Sequence, residues 1–99
     1  MAVGMIARLP EGVGAEQYDA VQAQMAMDDS PVQGRIFECA GELEGSFQVF
    51  TVWENREDFD RFRQDRLGPA MAAAMGEEAL AALPEADYVE ASIHNYIVP

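Results

Sequence analysis

The sequence predicts a single α+β domain in which a four-stranded antiparallel sheet carries two helices on one face. The chain has 99 residues, the length of one ordinary domain. Short apolar runs alternate with longer segments of helical spacing, in the order strand, helix, strand, strand, helix, strand. The chain is also 49% apolar, which is generous for a small domain and indicates burial of some surface against a second copy.

The first strand and the first helix occupy the beginning of the chain. Residues 2–9, AVGMIARL, form a short apolar run that ends at Pro10, as expected of a strand. A turn rich in Pro and Gly follows it. Apolar side chains then recur at helical spacing over residues 15–27, and Glu16 suits the positive end of the helix dipole.

A predicted hairpin and a second helix come next. Residues 35–40 and 47–53 are strand candidates joined by GELEGS, a short connection typical of antiparallel pairs. Asn55 is the expected N-cap of the second helix, with Asp58 three positions later. The LGP segment at residues 67–69 is expected to break or kink that helix.

The last strand completes a ferredoxin-like topology. Residues 70–83 favour a helix, Pro84 ends it, and residues 86–98 are predicted to form the fourth strand. The resulting order, βαββαβ, is that of the ferredoxin-like fold. Because the strands are too apolar to leave the helix-free face of the sheet wet, we expect two sheets to pack face to face in a dimer.

The charge balance excludes some partners. Eighteen acidic residues oppose six arginines, for a net charge of −12, which disfavours binding to nucleic acid or to an anionic membrane surface. Cys39 is the only cysteine in the sequence, so no intrachain disulfide is expected. The sequence shows no secretory signal and no apolar run of bilayer-spanning length, which favours a cytoplasmic protein.

The last strand carries the candidate catalytic residues, His94 and Tyr96. Regular alternation would place a row of polar side chains on one face: Tyr88, Glu90, Ser92, His94 and Tyr96. One interpretation of His94 is a general base or hydrogen-bond donor that acts with Tyr96 on a phenolic or enolic substrate. The other is a strand histidine that is hydrogen-bonded within the fold or at the dimer interface.

A metal site within one chain is not expected. Glu90 and His94 are four residues apart, which separates them by roughly 13 Å along a strand. The sequence has no second histidine, and no spacing of Cys, His and carboxylates indicates a zinc or iron triad. The GVG segment at residues 12–14 lacks the later glycine of a dinucleotide-binding loop.

Four further residues are candidates for contact with a ligand. Trp53 is placed to stack on an aromatic ring, although a tryptophan that ends a core strand more often packs inside the protein. Tyr18 is a candidate for projecting from the first helix into the same cavity. Phe62 pairs with Phe59 at helical spacing, which is typical of core packing, and Arg66 shares their face as an anion anchor or a salt-bridge partner.

Two stretches carry a resemblance to a known family. VFTVWENREDFDRFRQDRLGPAM (49–71) and EASIHNYIV (90–98) resemble antibiotic biosynthesis monooxygenase (ABM)-like domains of the dimeric α/β-barrel superfamily. The resemblance implies a homodimer with a ligand pocket between each sheet and its helices. Some members oxidise aromatic polyketides with molecular oxygen and no cofactor. Others degrade haem, are isomerases or lyases, or have no assigned activity.

One position departs from the haem-degrading members of the family. Those proteins carry a histidine about nine residues beyond the tryptophan, and here that position is Phe62. A phenyl ring cannot ligate iron, which disfavours a haem-oxygenase role.

These observations lead to a functional expectation with one alternative. We expect a cofactor-independent monooxygenase-like protein, or a related isomerase or cyclase, that acts on a small aromatic or polyketide-like substrate. His94 and Tyr96 would polarise or deprotonate the substrate, and four residues would bind it: Trp53, Tyr18, Phe62 and Arg66. No cofactor and no metal are expected. The alternative is a non-catalytic dimeric protein that binds a small ligand or serves a stress response.

Overall fold

Four strands form one antiparallel sheet in the order β2-β3-β1-β4. The structure is a computed structural model that describes residues 2–28 and 30–99. The strands are β1 (Val3–Arg8), β2 (Arg35–Leu43), β3 (Ser46–Trp53) and β4 (Asp87–Ser92). The predicted ferredoxin-like topology is therefore confirmed, with β1 in the centre of the sheet between β3 and β4.

The helices cover one face of this sheet. They are α1 (Ala15–Met25), α2 (Arg56–Phe62), α3 (Gly68–Met75) and α4 (Glu77–Ala82). Asn55 caps α2 as predicted, since its side-chain oxygen accepts the Asp58 N–H at 2.9 Å. Among the described helices, none is both long and apolar enough to cross a membrane.

A π-helical turn joins α2 to α3 where a break or kink was predicted. The turn spans Arg63–Leu67, and the N–H of Gly68 donates to the carbonyl of Arg63, five residues earlier. Pro69 has no N–H to donate, and its ring would clash with the carbonyl four residues before it in a regular helix. The wider turn accommodates the proline, so the helical segment continues instead of ending at LGP.

The fourth strand is shorter than predicted and ends at Ser92 instead of residue 98. Its partner β1 begins at Val3, which pairs with Ser92. A further backbone hydrogen bond, from the N–H of Ile93 to the carbonyl of Ala2, follows at 3.2 Å. Since β4 has then reached the start of its partner strand, residues 93–99 leave the sheet.

The core lies between the sheet and α2. Trp53 is fully buried, and its ring centroid lies 5.7 Å from that of Phe59 and 5.2 Å from that of Phe62. The indole N–H donates to the hydroxyl of Thr51 at 2.8 Å, so this buried polar group is satisfied. Aromatic rings at these separations account for much of the apolar surface buried by a small domain.

The helix-free face of the sheet is apolar and open within one chain. Phe37 is 41% exposed, and Leu43 and Val89 are also exposed. The exposed Cys39 lies between Phe37 and Leu43 on β2. The segment after β4 also exposes Tyr96, Ile97 and Val98. We call the surface formed by Phe37, Leu43 and Val89 the open face.

Candidate functional site

A cavity of about 120 Å³ lies between the sheet and the helices. The sheet supplies its floor, mainly through Met5, Ala7, Val49 and Thr51. The helices supply its roof, mainly through Val21, Met25, Met71 and Met75. Four of these side chains are methionines, whose unbranched and polarisable thioethers adapt to the shape of a bound molecule.

The alternation of β1 opens space for this cavity. Met5, Ala7 and Leu9 all point to the helix side of the sheet, and the middle one is a single methyl group. The helix above follows the matching period, because Tyr18, Val21 and Met25 recur three and four residues apart on α1. A small residue opposite an amphipathic helix therefore leaves a void in an otherwise packed layer.

One wall of the cavity is polar. The Tyr18 hydroxyl donates to Oε2 of Glu38 at 2.5 Å, and Nε2 of Gln22 donates to the same oxygen at 3.3 Å. On the other side of the carboxylate, Nη1 of Arg35 donates to Oε1 at 3.2 Å. The four side chains thus form one hydrogen-bonded group, which we call the Glu38 cluster.

The Glu38 cluster is held between the sheet and two helices. Glu38 points from β2 toward α1, and its side chain is 16% exposed. The guanidinium of Arg35 lies 5.5 Å from the ring centroid of Phe62, so it also contacts the aromatic core. Burial, together with the hydrogen bond to Glu38, raises the pKa of Tyr18 well above its ordinary value.

Another part of the cavity wall is aromatic. Phe59, Phe62 and Tyr88 line it, and the Tyr88 ring meets that of Phe59 edge-on at 5.6 Å. Arg63 lies over Tyr88, with 4.5 Å between the guanidinium carbon and the ring centroid. A flat apolar ligand would contact ring edges here and hydrogen-bond acceptors at the polar wall.

Two of the predicted site residues line this cavity, and Trp53 lies just behind it. Tyr18 and Phe62 are part of the wall. Trp53 is fully buried against Phe59 and Phe62, and its N–H is bonded to Thr51, so it supports the wall from behind. The structure therefore places three of the six candidates together.

Arg66 lies away from the cavity because of the π-helical turn. Regular spacing from Phe62 would bring residue 66 onto the cavity side, but the turn inserts one extra residue and Leu67 takes that place. Arg66 instead donates to the backbone carbonyls of Ser30 at 3.1 Å and Asp28 at 3.3 Å. It thereby fastens the loop that follows α1.

His94 and Tyr96 lie in the exposed segment after β4. They line a shallow depression together with Ala2 and Ile93, which is separate from the cavity. Tyr88 and Glu90, at the start of the same predicted polar face, do point toward the helices, since Glu90 forms an ion pair with Arg56 of α2. The strand ends before this alternation reaches His94, and the catalytic roles of His94 and Tyr96 stay predictions.

Glu38 is the main site residue that sequence reasoning missed. It lies within an apolar strand segment, between Phe37 and Cys39, with Arg35 three residues before it. A carboxylate at an inward-facing position of a strand is uncommon unless it has a partner. The glutamate within the apolar RIFECA segment was therefore the feature of the sequence that could have indicated this site. Met71 and Met75 were missed because the predicted break at LGP separated them from the aromatic helix face.

The described residues contain no group of three or more His, Cys, Asp or Glu side chains placed to hold a metal ion.

Solved structures resemble this chain over nearly its whole length. SnoaB, a cofactor-independent oxygenase from Streptomyces nogalater, superimposes with a TM-score of 0.63 at 17% identity, covering 97% of this chain and 96% of that one. A candidate antibiotic biosynthesis monooxygenase from Chloroflexus aurantiacus J-10-fl gives 0.61 at 15% identity, with both chains fully covered. The chain has the fold of the antibiotic biosynthesis monooxygenases.

Another similar structure has no assigned function. A dimeric ferredoxin-like protein from Thermobifida fusca matches with a TM-score of 0.59 at 16% identity, covering 94% of this chain and 92% of that one. No protein-family model and no curated protein matches the sequence. The predicted resemblance is thus confirmed for the fold. One fold hosts many activities, so the fold alone does not define the reaction of this chain.

Proposed function

We propose that the chain binds a small aromatic molecule in the cavity and oxidises it as a cofactor-independent monooxygenase, or converts it as a related isomerase or cyclase. The observation that carries this proposal is the cavity itself, which is lined mainly by apolar side chains, carries its few polar groups on one wall and at Thr51, and is roofed in part by methionines. Such a chamber excludes water from a reactive intermediate and orients a ring by one polar contact.

The volume supports a single-ring substrate. A dry apolar cavity of about 150 Å³ is enough to hold benzene, and this cavity of about 120 Å³ is of the same order. An outer groove of about 440 Å³ adjoins it and shares Leu67, Met71, Met75 and Tyr88 with its wall. A larger polyketide-like compound would therefore insert one ring into the cavity and lie in the groove with the rest.

The proposed oxidation balances without a further reductant. A phenol and one molecule of oxygen give a quinone and one molecule of water. The carbon–hydrogen bond opposite the hydroxyl breaks, one oxygen atom becomes the new carbonyl, and the other leaves as water with the two hydrogens lost by the phenol. The protein's part is to bind and orient the ring and to limit the access of bulk water.

A homodimer is part of this proposal. The open face leaves Phe37, Leu43 and Val89 in solvent within one chain, and the similar Thermobifida fusca protein is described as dimeric. Two open faces packed together would cover these side chains. Sedimentation velocity at several protein concentrations tests this, and a species of monomer mass at all of them would contradict it.

Oxygen uptake with single-ring phenols and hydroquinones tests the activity. We expect consumption of dissolved oxygen and, with ¹⁸O₂, one labelled oxygen atom in the product of a phenol. Ala7→Leu fills the cavity floor and should abolish both binding and turnover, whereas Ala20→Leu, on the exposed side of α1, should leave both intact. Equal activity in the two variants would place the reaction elsewhere.

The second candidate is a non-catalytic ligand-binding protein. The position of His94 and Tyr96 outside the cavity favours it, because neither predicted catalytic residue touches the bound molecule within one chain. Under this alternative, a phenol raises the melting temperature and is recovered chemically unchanged. Mass spectrometry of the recovered ligand separates the two candidates.

A further inference from the structure

We propose that Glu38 and Tyr18 form the polar anchor of the cavity, and that this anchor selects neutral single-ring compounds carrying a hydroxyl group over their anions. This inference rests on the proposed binding function and names the chemical class of the ligand. The ligand hydroxyl donates its hydrogen to the oxygen of Tyr18, whose own hydrogen is donated to Oε2 of Glu38.

The direction of the hydrogen bonds sets this preference. Tyr18, Gln22 and Arg35 each direct a donor to the carboxylate of Glu38. Oε2 of Glu38 already accepts two of these bonds, but a lone pair remains on the Tyr18 oxygen, so the anchor offers an acceptor to the cavity there. A ligand gains most there if it brings a donor, as the hydroxyl of a phenol does.

The charges around the cavity also favour a neutral ligand over an anion. Of the described residues that line the cavity, Glu38 alone carries a carboxylate, and none carries a positive charge. Arg35 neutralises Glu38 from outside the cavity, where its guanidinium pairs with Oε1. A phenolate in the cavity would lose its hydration and face a carboxylate with no cation on its own side.

Thr51 does not offset this preference. Its hydroxyl lies on the cavity floor, donates to the carbonyl of Met5 at 3.4 Å and accepts the Trp53 N–H at 2.8 Å. Its one hydrogen is therefore already used within the protein. The floor therefore offers no hydroxyl donor to an anion, and the donors left among the described residues of the cavity wall are the amide N–H groups of Gln17 and Gln22, which carry no charge to balance that of the anion.

The test uses 4-nitrophenol, whose absorption spectrum distinguishes the neutral ring from its anion. Titration of the intact protein at several pH values gives the affinity for each form. Because a nitrophenol is a weaker acid than a carboxylic acid, its proton stays on the probe when the two are hydrogen-bonded. We expect the neutral form to bind about 10- to 100-fold more tightly than the anion.

Three variants separate the anchor from general packing. Glu38→Gln removes the charge and supplies an amide donor, so the preference for the neutral form should fall about tenfold or reverse. Tyr18→Phe keeps the ring contacts and removes the hydroxyl, so affinity for the neutral form should fall while the anion stays weakly bound. Glu42→Gln is the matched control on the same strand, where the carboxylate is exposed, and should change neither affinity.

The outcomes distinguish this inference from the proposed function. Failure of the wild-type protein to bind either form of the probe would overturn both. Binding that Ala7→Leu abolishes, but that shows no preference for the neutral form, would overturn the anchor alone. Should Glu38→Gln not fold, the pH dependence of the wild type and the effect of Tyr18→Phe still decide the question.

Discussion

The two faces of the sheet differ in how far they bury their polar and reactive side chains. On the helix side, Tyr18 and Glu38 line the cavity and bond to one another. On the helix-free side, Cys39 of β2 is exposed within one chain, and His94 lies outside the sheet, in the exposed segment beyond the end of β4. Burial, more than residue type, therefore makes the cavity a better candidate site than the surface around His94. A buried group keeps its orientation and meets little water.

The largest expected effect comes from one substitution made on each face. Phe59→Ala removes a ring that is 4% exposed and should lower the free energy of unfolding by about 3–5 kcal/mol, since a cavity remains. Phe37→Ala removes a ring that is 41% exposed and should cost far less at high dilution. Urea denaturation at several protein concentrations measures both. If the chain dimerises through the open face, the loss of unfolding free energy caused by Phe37→Ala should grow with protein concentration. Equal losses for Phe59→Ala and Phe37→Ala at high dilution would contradict the distinction between the two faces.

A matched pair of glycines gives the next largest effect. Gly34 and Gly45 share a φ of +80°, but a Cβ on Gly34 would lie 2.1 Å from Oδ2 of Asp58, whereas one on Gly45 meets no described atom within 4 Å. Gly45→Ala should therefore cost about 1–2 kcal/mol for backbone strain alone. Gly34→Ala should cost about 1–3 kcal/mol more, because Asp58 is buried and has to move. Thermal unfolding of the two variants side by side checks the difference, and equal melting temperatures would contradict the clash.

A smaller effect concerns pH. The pKa of Tyr18 is raised in the folded protein, first by burial and then by the hydrogen bond to Glu38, so the folded state holds this proton more tightly than the unfolded state does. The resulting stabilisation is complete below the ordinary tyrosine pKa of about 10 and is lost as the pH rises above it. Tyr18→Phe should flatten the fall in unfolding free energy above about pH 10, and the exposed Tyr96→Phe should not. Denaturant titrations from pH 8 to 11 measure the unfolding free energy of each variant. An equal fall with pH in Tyr18→Phe and Tyr96→Phe would contradict the prediction.

The smallest expected effect is that of His94→Ala on ligand affinity. His94 lies outside the cavity, so the dissociation constant for a phenol should stay within about twofold of the wild type. Turnover of the same phenol tests the catalytic prediction separately. Loss of a general base typically lowers a rate by about 100- to 10,000-fold. Such a loss at unchanged affinity would support a catalytic role for His94, and an unchanged rate and pH profile would end that prediction.

The fold was predictable because each element carries its own local signal. Pro10 follows the first strand, Asn55 caps α2, and the apolar run of residues 47–53 forms β3, which ends in the buried Trp53. The end of β4 was not predictable from the pattern of residues 86–98, because it depends on where the partner strand β1 begins. Strand length is a property of the pair, so a single strand's sequence does not define it.

The site was less predictable than the fold. Tyr18 and Phe62 were found because helical spacing places them on the inner faces of α1 and α2. Glu38 was missed because its importance comes from Tyr18 and Gln22, which are 20 and 16 residues away in sequence. His94 attracted attention as the chain's only histidine, but residue type indicates what a side chain is able to do and gives no information on what surrounds it.

The π-helical turn makes the ligand-facing chemistry of this protein sensitive to chain length. Each residue of a helix advances its direction by about 100°, so one residue more or fewer turns every later side chain to a new face. The extra residue in Arg63–Leu67 gives the cavity Leu67 and Met71 and turns Arg66 away to the loop after α1. A single-residue deletion in that turn would remove the extra residue and leave a regular helix with Leu67 and Met71 still facing the cavity. A single-residue insertion after the turn would instead rotate Met71 and Met75 away from the ligand, which no single substitution does.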